Sequence, residues 1–192
     1  MSDKRKSKGK EIINKNFKGK QFNEFGVTFT TQRDERTGCG IATIWNALKI
    51  LSIKKDINNK DLISESRETL KHHNSSYDEF ENWFAYKSGY ANATSKGDKQ
   101  LKAGYLIKAI KLLLNFDVVV KKSKYMTEDK LSGINLAIVF AKWAGEDNDK
   151  HWLVYYNGHL IDPHPYPGYN GVKLYGESPH EITSWYVLDW KG

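Results

Sequence analysis

The chain has 192 residues, of which 39% are apolar and 13% aromatic. This is the length and composition of one folded domain with a buried core, and it excludes a wholly disordered protein. A single cysteine excludes an intramolecular disulfide and a multi-thiolate zinc site. No apolar run reaches the roughly 18 residues that span a bilayer, and no signal-type apolar stretch follows the basic N-terminus. We therefore expect a cytoplasmic protein in a reducing compartment.

The positive charge is concentrated at the N-terminus. Residues 1–20 contribute +6 of the formal net charge of +7, so the remainder of the chain is nearly neutral. We expect residues 1–24 to form a disordered basic tail and residues 25–192 to form one domain. Such a tail either keeps the protein soluble or touches nucleic acid or another acidic surface. The rest of the sequence contains no recognised basic motif for nucleic-acid binding.

The first part of the chain is predicted to be mainly helical. A short strand at 26–31 precedes a polar loop, and apolar periodicity predicts helices at residues 39–52, 59–72, 76–87 and 103–115. In the first helix, Ile41 and Trp45 share one apolar face. Thr37 or Gly38 stands where an N-cap belongs. This places Cys39 in the first helical turn.

The second part of the chain is predicted to be a sheet. Strands are expected at residues 117–121, 135–141, 151–156, 159–162 and 184–190. Asn157 and Gly158, between the third and fourth of these strands, form a strong two-residue hairpin signal. Helices followed by antiparallel strands predict an α+β fold, with the helix of Cys39 packed on a C-terminal antiparallel sheet.

Cys39 stands in a position that favours nucleophilic chemistry. A thiol attacks a carbonyl as the thiolate, and a free cysteine with a pKa near 8.5 holds little thiolate at neutral pH. The N-terminus of a helix carries about half a positive charge, which stabilises an anion there. A nearby imidazole that accepts the proton completes the activation.

His151 is the predicted partner of Cys39. The hairpin register places His151 and Asp162 on one face, at diagonal positions within side-chain reach. We expect Asp162 to accept a hydrogen bond from Nδ1–H of His151 and so to fix its tautomer. His164 is an alternative orienting residue or a residue of the substrate cleft. His159 is predicted to face away from His151, and His180 to lie in a loop.

Acyl transfer also needs hydrogen-bond donors for the oxyanion. The backbone N–H of Cys39 is one candidate, because the first N–H groups of a helix have no partner within it. The side-chain amide of Gln32, seven residues before the cysteine, is the second candidate.

The segment from Gln32 through Cys39-Gly-Ile-Ala42 resembles the nucleophile region of papain-like cysteine peptidases. It is closest in motif to the bacteriocin-processing, double-glycine peptidase domains, in which a Gln and an acidic loop precede Cys-Gly-x-Ala. The segments that begin at His151 and end at Asp162-Pro163 resemble the His strand and the Asp-Pro turn of that family. The order Cys, His, Asp is also that of the papain-like group. Cys39 and His151 are 112 positions apart, which is farther than in the bacteriocin-processing peptidases. We therefore do not extend the specificity of that family for double-glycine cleavage sites to this chain.

The resemblance implies a papain-like fold and a thiol hydrolase that cleaves a peptide or isopeptide bond in a protein or peptide substrate. Its catalytic residues would be Cys39, His151, Asp162 and Gln32, with no metal ion and no organic cofactor. Two other functions stay open. The same triad serves transglutaminases, deamidases and acyltransferases, which differ in the acceptor of the acyl group. Alternatively, Cys39 is a small buried core residue, and the chain is a binding module with a basic tail that touches nucleic acid.

Overall fold

The structure is a computed structural model, and it describes residues 21–32, 38–53, 76–90, 102–113, 118–123, 126–143, 150–164 and 171–190. The basic residues 1–20 and the helix predicted at 59–72 lie outside the described residues. The described elements run from an N-terminal hairpin through a set of helices to a large antiparallel sheet.

The N-terminal hairpin consists of strands β1 (Gln21–Glu24) and β2 (Val27–Thr30), which pair antiparallel. Phe25 and Gly26 form its two-residue turn with φ of 55° and 71°, the left-handed geometry that suits a tight hairpin. The ring of Phe25 packs edge-on against His159, with 4.9 Å between centroids. Residues 21–24 were expected to belong to the tail, and they form a strand instead.

Three helices follow: α1 (Gly38–Ile53), α2 (Tyr77–Ser88) and α3 (Ala103–Leu113). A short helix, α4 (Glu128–Leu131), comes later. Helix α2 begins with a capping box, in which the Ser76 hydroxyl accepts from the backbone N–H of Glu79 and the Glu79 carboxylate accepts from the N–H of Ser76. The three helices predicted in this part of the described chain are therefore confirmed.

Helix α1 lies at the centre of the helical layer. Most of its side chains up to residue 50 are buried, as expected for a helix that is apolar on nearly all sides. Asn46, fully buried in this helix, holds it against strand β2. Its side-chain oxygen accepts from the backbone N–H of Thr30 at 2.9 Å, and its amide donates to the carbonyl of Thr30 at 3.1 Å. These two bonds fix α1 to the N-terminal hairpin.

The C-terminal sheet has six strands in the order β3-β8-β4-β5-β6-β7, and each pairing is antiparallel. The strands are β3 (Val118–Ser123), β4 (Leu136–Trp143), β5 (Lys150–Tyr156), β6 (His159–Ile161), β7 (Val172–Leu174) and β8 (His180–Trp190). Asn157 and Gly158 form the β5–β6 turn with φ of 44° and 81°. Tyr156 pairs with His159, as the hairpin prediction required.

The two faces of strand β5 bury different side chains. Trp152, Val154 and Tyr156 belong to the core that the sheet shares with the helices. Leu153 and Tyr155 point into a second cluster on the opposite face. Because both faces are covered, β5 is buried along most of its length, which gives the side chains at its ends a defined position.

The predicted α+β arrangement, with N-terminal helices packed on a C-terminal antiparallel sheet, is confirmed. In the part of the chain that the structure describes, no helix has the length and the apolar character needed to cross a membrane.

Candidate active site

Cys39 is the second residue of helix α1 and is only partly buried. One turn later, the hydroxyl of Thr43 donates to the backbone carbonyl of Trp152 at 2.9 Å. Trp152 directly follows His151 on strand β5. This bond fixes the first turns of helix α1 against strand β5, which carries His151.

His151 and Asp162 form a short contact inside the protein. Nε2 of His151 lies 2.6 Å from Oδ1 of Asp162, and the side chains are 9% and 0% exposed. The predicted contact between these residues is therefore present. The predicted ring atom was wrong: Asp162 engages Nε2 and not Nδ1. The ring is attached through the carbon next to Nδ1, so Nε2 lies farther from the backbone and reaches Asp162, which directly follows strand β6.

The contact changes the protonation of both partners. Burial opposes the charged imidazole, but the charge of Asp162 and its hydrogen bond, with smaller contributions from Cys39, raise the pKa of His151 to about 10. Burial likewise opposes the carboxylate of Asp162, yet His151, His180 and the backbone N–H of His164 together lower its pKa. The pair is therefore an imidazolium and a carboxylate at neutral pH.

Main-chain bonds hold the loop of Asp162 in place. The backbone N–H of His164 donates to Oδ1 of Asp162 at 2.7 Å, and the N–H of Asp162 donates to the carbonyl of Gly171 at 2.6 Å. The N–H of Gln32 donates to the carbonyl of Pro163 at 2.8 Å. The structure thus brings the buried Gln32 to the turn that follows Asp162. His164 contacts Asp162 through its backbone, and its ring centroid lies 6.0 Å from that of His151.

His180 joins this group although it was predicted to lie in a loop. It is the first residue of strand β8 and is buried, and its Nε2 lies 3.3 Å from Oδ2 of Asp162. The rings of His180 and His151 stack with their centroids 5.9 Å apart. Strand β8 was predicted to begin only at residue 184. The available signal was Ile182, an apolar residue between the polar residues Glu181 and Thr183 at the start of this strand.

Cys39 is not a member of the buried His151-Asp162-His180 group. The ligand-type atoms of these three side chains lie within 4.8 Å of one another, and the sulfur of Cys39 is outside that set. Cys39 nevertheless contributes to the raised pKa of His151 through hydrogen bonding and charge. The thiol therefore interacts with the imidazole from outside the group, while Asp162 holds Nε2.

The same three side chains are the candidate metal ligands among the described residues. A zinc ion with bonds of about 2.1 Å would hold two tetrahedral ligands roughly 3.4 Å apart. The 2.6 Å between Nε2 of His151 and Oδ1 of Asp162 is instead the length of a charge-assisted hydrogen bond. The geometry fits a shared proton between these two atoms, and we assign no metal ion to the group.

The chain matches no protein-family model, no curated protein and no solved structure in the comparisons made.

Proposed function

We propose that this protein is a thiol hydrolase that acts on a peptide or isopeptide bond, with Cys39 as nucleophile, His151 as proton carrier and Asp162 as the residue that orients His151. The observation that carries the proposal is the buried 2.6 Å contact between Nε2 of His151 and Oδ1 of Asp162, which raises the pKa of the imidazole. Asp162 fixes it from one side, and Cys39 is among the groups that favour its charged form. An imidazolium of this kind is the counter-ion that a cysteine thiolate needs.

The position of Cys39 in the helix gives further support. An anion in the first turn of α1 is stabilised by the positive end of the helix dipole. Cys39 is partly exposed, whereas Ile41 and the residues that follow it up to Leu48 are buried. A substrate can therefore reach the sulfur while the rest of the helix stays in the core.

In the proposed reaction, the thiolate of Cys39 attacks the carbonyl carbon of the scissile bond and forms a C–S bond. His151 gives a proton to the leaving nitrogen as the C–N bond breaks. The neutral imidazole then takes a proton from water, which attacks the thioester. When the C–S bond breaks, the free acid leaves and the thiolate–imidazolium pair is restored. Asp162 stays ionised throughout and keeps Nε2 of His151 engaged.

The oxyanion of each tetrahedral intermediate needs nearby donors. The backbone N–H of Cys39 lies in the first turn of α1, where N–H groups have no acceptor within the helix. The side chain of Gln32 is the second proposed donor. The backbone bond between Gln32 and Pro163 brings this residue beside the loop of Asp162, which is the support for that role.

The decisive experiment is the pH dependence of Cys39 alkylation by iodoacetamide. Because the chain has a single cysteine, a Cys39→Ser variant gives the background rate. We expect the wild-type protein to react at pH 6 at least about tenfold faster than glutathione, because the imidazolium of His151 would stabilise the thiolate. His151→Ala should remove this advantage. His159→Ala is the matched control and should keep it, because the ring of His159 bonds the carbonyl of Asn157.

Reaction of the wild-type protein no faster than glutathione would contradict the proposal. The fate of the acyl group is measured with p-nitrophenyl acetate, which acylates a reactive thiol. Mass spectrometry should find acetyl-Cys39, and the acetyl group should be lost to water at an unchanged rate when an alkylamine is added. Faster loss with the amine as product would instead identify an acyltransferase.

A further inference from the structure

The buried group contains a second histidine that the proposed reaction does not use. His180 packs with its ring centroid 4.5 Å from that of Trp143, its partner across the β4–β8 ladder. Its Nε2 faces Oδ2 of Asp162 at 3.3 Å. The side chains of His180 and Asp162 are both 0% exposed, so the contact is shielded from water.

Ser178 lies against Nδ1 of His180, so the other ring nitrogen, Nε2, is the one that faces the carboxylate. The hydroxyl oxygen of Ser178 lies 3.1 Å from Nδ1 of His180 and accepts from the backbone N–H of His180 at 3.3 Å. If the ring is neutral and the hydroxyl donates to Nδ1, the proton is on Nε2. If the ring is charged, both nitrogens carry protons. Each of these two states puts a proton on Nε2, the ring nitrogen that lies 3.3 Å from Oδ2 of Asp162.

The carboxylate of Asp162 has hydrogen-bond donors at Oδ1 and the imidazole of His180 close to Oδ2, at a distance that suits a charge interaction although the two atoms are not in hydrogen-bond geometry. Oδ1 accepts from Nε2–H of His151 and from the backbone N–H of His164, and Oδ2 faces Nε2 of His180. A buried carboxylate without such partners becomes protonated, because desolvation penalises its charge. The charge of His180 is among the causes that lower the pKa of Asp162.

We propose that His180, oriented by Ser178, is a positioning residue that keeps Asp162 ionised and aligned with His151. The inference rests on the proposed function, because the role of Asp162 is to orient the proton carrier. Among the described residues, His151 contacts Asp162 through its ring and His164 through its backbone N–H, and Cys39 interacts with His151. Lys142 and Glu181, on the strands next to His180, form a 3.3 Å ion pair with each other, so their charges offset locally.

Two substitutions at position 180 test whether His180 acts through its N–H group or only by filling space with its ring. His180→Phe keeps a ring against Trp143 and removes the N–H. His180→Gln places an amide N–H near the position of Nε2 and tests rescue by a conservative variant. Ser178→Ala removes the hydroxyl that directs the ring. The first readout is the titration of the Asp162 carboxyl carbon by ¹³C NMR, and it does not depend on the reactivity of Cys39.

We expect the titration of Asp162 to move up by about one pH unit or more in His180→Phe and to return most of the way in His180→Gln, because a donor to the charged form lowers a carboxyl pKa. Alkylation of Cys39 at pH 6 should slow in His180→Phe and recover in His180→Gln. In the wild-type protein, ¹⁵N NMR of the histidine rings should find a proton on Nε2 of His180.

Three outcomes overturn the inference: an unprotonated Nε2 of His180 in the wild type, a titration of Asp162 that is unchanged in His180→Phe, or equal shifts in the Phe and Gln variants. The ¹⁵N NMR measurement of the His180 ring in the wild-type protein tests the inference even if the His180→Phe variant does not fold. Failure of the proposed function has a different signature. It would leave the titration of Asp162 sensitive to His180 while Cys39 reacts no faster than glutathione, and His180 would then hold the buried carboxylate without serving a thiol reaction.

Discussion

Asp162 is the residue on which the candidate site depends. It is fully buried, and its charge is the favourable influence that overcomes burial and keeps His151 protonated. Without that charge, the buried imidazole would lose its proton more easily than in water. The protonation state of His151 therefore depends mainly on one carboxylate.

Replacing Asp162 with Asn removes this charge at nearly constant volume. We expect the pKa of His151 to fall below its ordinary value, because burial alone lowers it. Alkylation of Cys39 at pH 6 should slow by about tenfold or more, since the imidazolium that supports the thiolate is lost. Iodoacetamide kinetics and ¹⁵N NMR of His151 measure the two effects.

The matched control for this substitution is Glu181→Gln, which removes an exposed carboxylate that pairs with Lys142. It should leave the alkylation rate unchanged, because solvent screens that charge. Equal rates in Asp162→Asn and the wild type would show that Asp162 does not support the thiol.

At the scale of elements, the position of Cys39 depends on how helix α1 docks on strand β5. The docking bond is the one from the Thr43 hydroxyl to the carbonyl of Trp152, both buried residues. Four residues of helix, about 6 Å of rise, separate Thr43 from Cys39. A small rotation or shift of the helix at Thr43 would therefore move the sulfur of Cys39.

Thr43→Val keeps the shape of the side chain and removes this bond. We expect a loss of about 1–3 kcal/mol in the free energy of unfolding, because the carbonyl of Trp152 is left without this donor in a buried place. Alkylation of Cys39 should slow as well. Urea denaturation and iodoacetamide kinetics on the same sample give both quantities.

Ser76→Ala provides the comparison for Thr43→Val. It removes the N-cap of helix α2, which costs about 1 kcal/mol, in a helix that contributes no residue to the site. Its alkylation rate should equal that of the wild type. If both variants slow the reaction in proportion to their loss of stability, the effect of Thr43 is general and not positional.

For the whole molecule, the buried pair links folding to pH. The pKa of His151 is raised from 6.5 to about 10, so its contribution to stability is complete below about pH 6.5 and is lost as the pH rises toward 10. The pKa of Asp162 is lowered from 3.8, so its contribution is present above about pH 4 and is lost in acid. The pair stabilises the fold most between these two limits.

We therefore expect the free energy of unfolding of the wild-type protein to fall between pH 6.5 and pH 9.5, by an amount on the order of a few kcal/mol. His151→Gln should show a much smaller fall, because the group that binds an extra proton in the folded state is absent. Urea denaturation at the two pH values measures this. Parallel losses in both proteins would mean that other groups cause the dependence.

Local sequence patterns predicted most of the described elements. Apolar periodicity marked helices α1, α2 and α3, and the Asn157-Gly158 turn fixed the register of the β5–β6 hairpin. The first hairpin was missed because its turn is Phe25-Gly26, and a bulky residue rarely adopts a positive φ. Phe25 holds that conformation in contact with His159, a residue distant in sequence that a local pattern cannot reveal.

The sequence by itself determined that Cys39 begins a helix and that His151 and Asp162 share one face of a hairpin, because both follow from the period of the helix and the register of a two-residue turn. Only the tertiary structure decided which nitrogen of His151 meets Asp162, and that His180 reaches the same carboxylate from strand β8. The physical reason is that β8 joins the sheet beside β4, so His180 approaches a loop far from it in the chain. Such a contact depends on the packing of the whole sheet, and no local spacing of residues in the sequence predicts it.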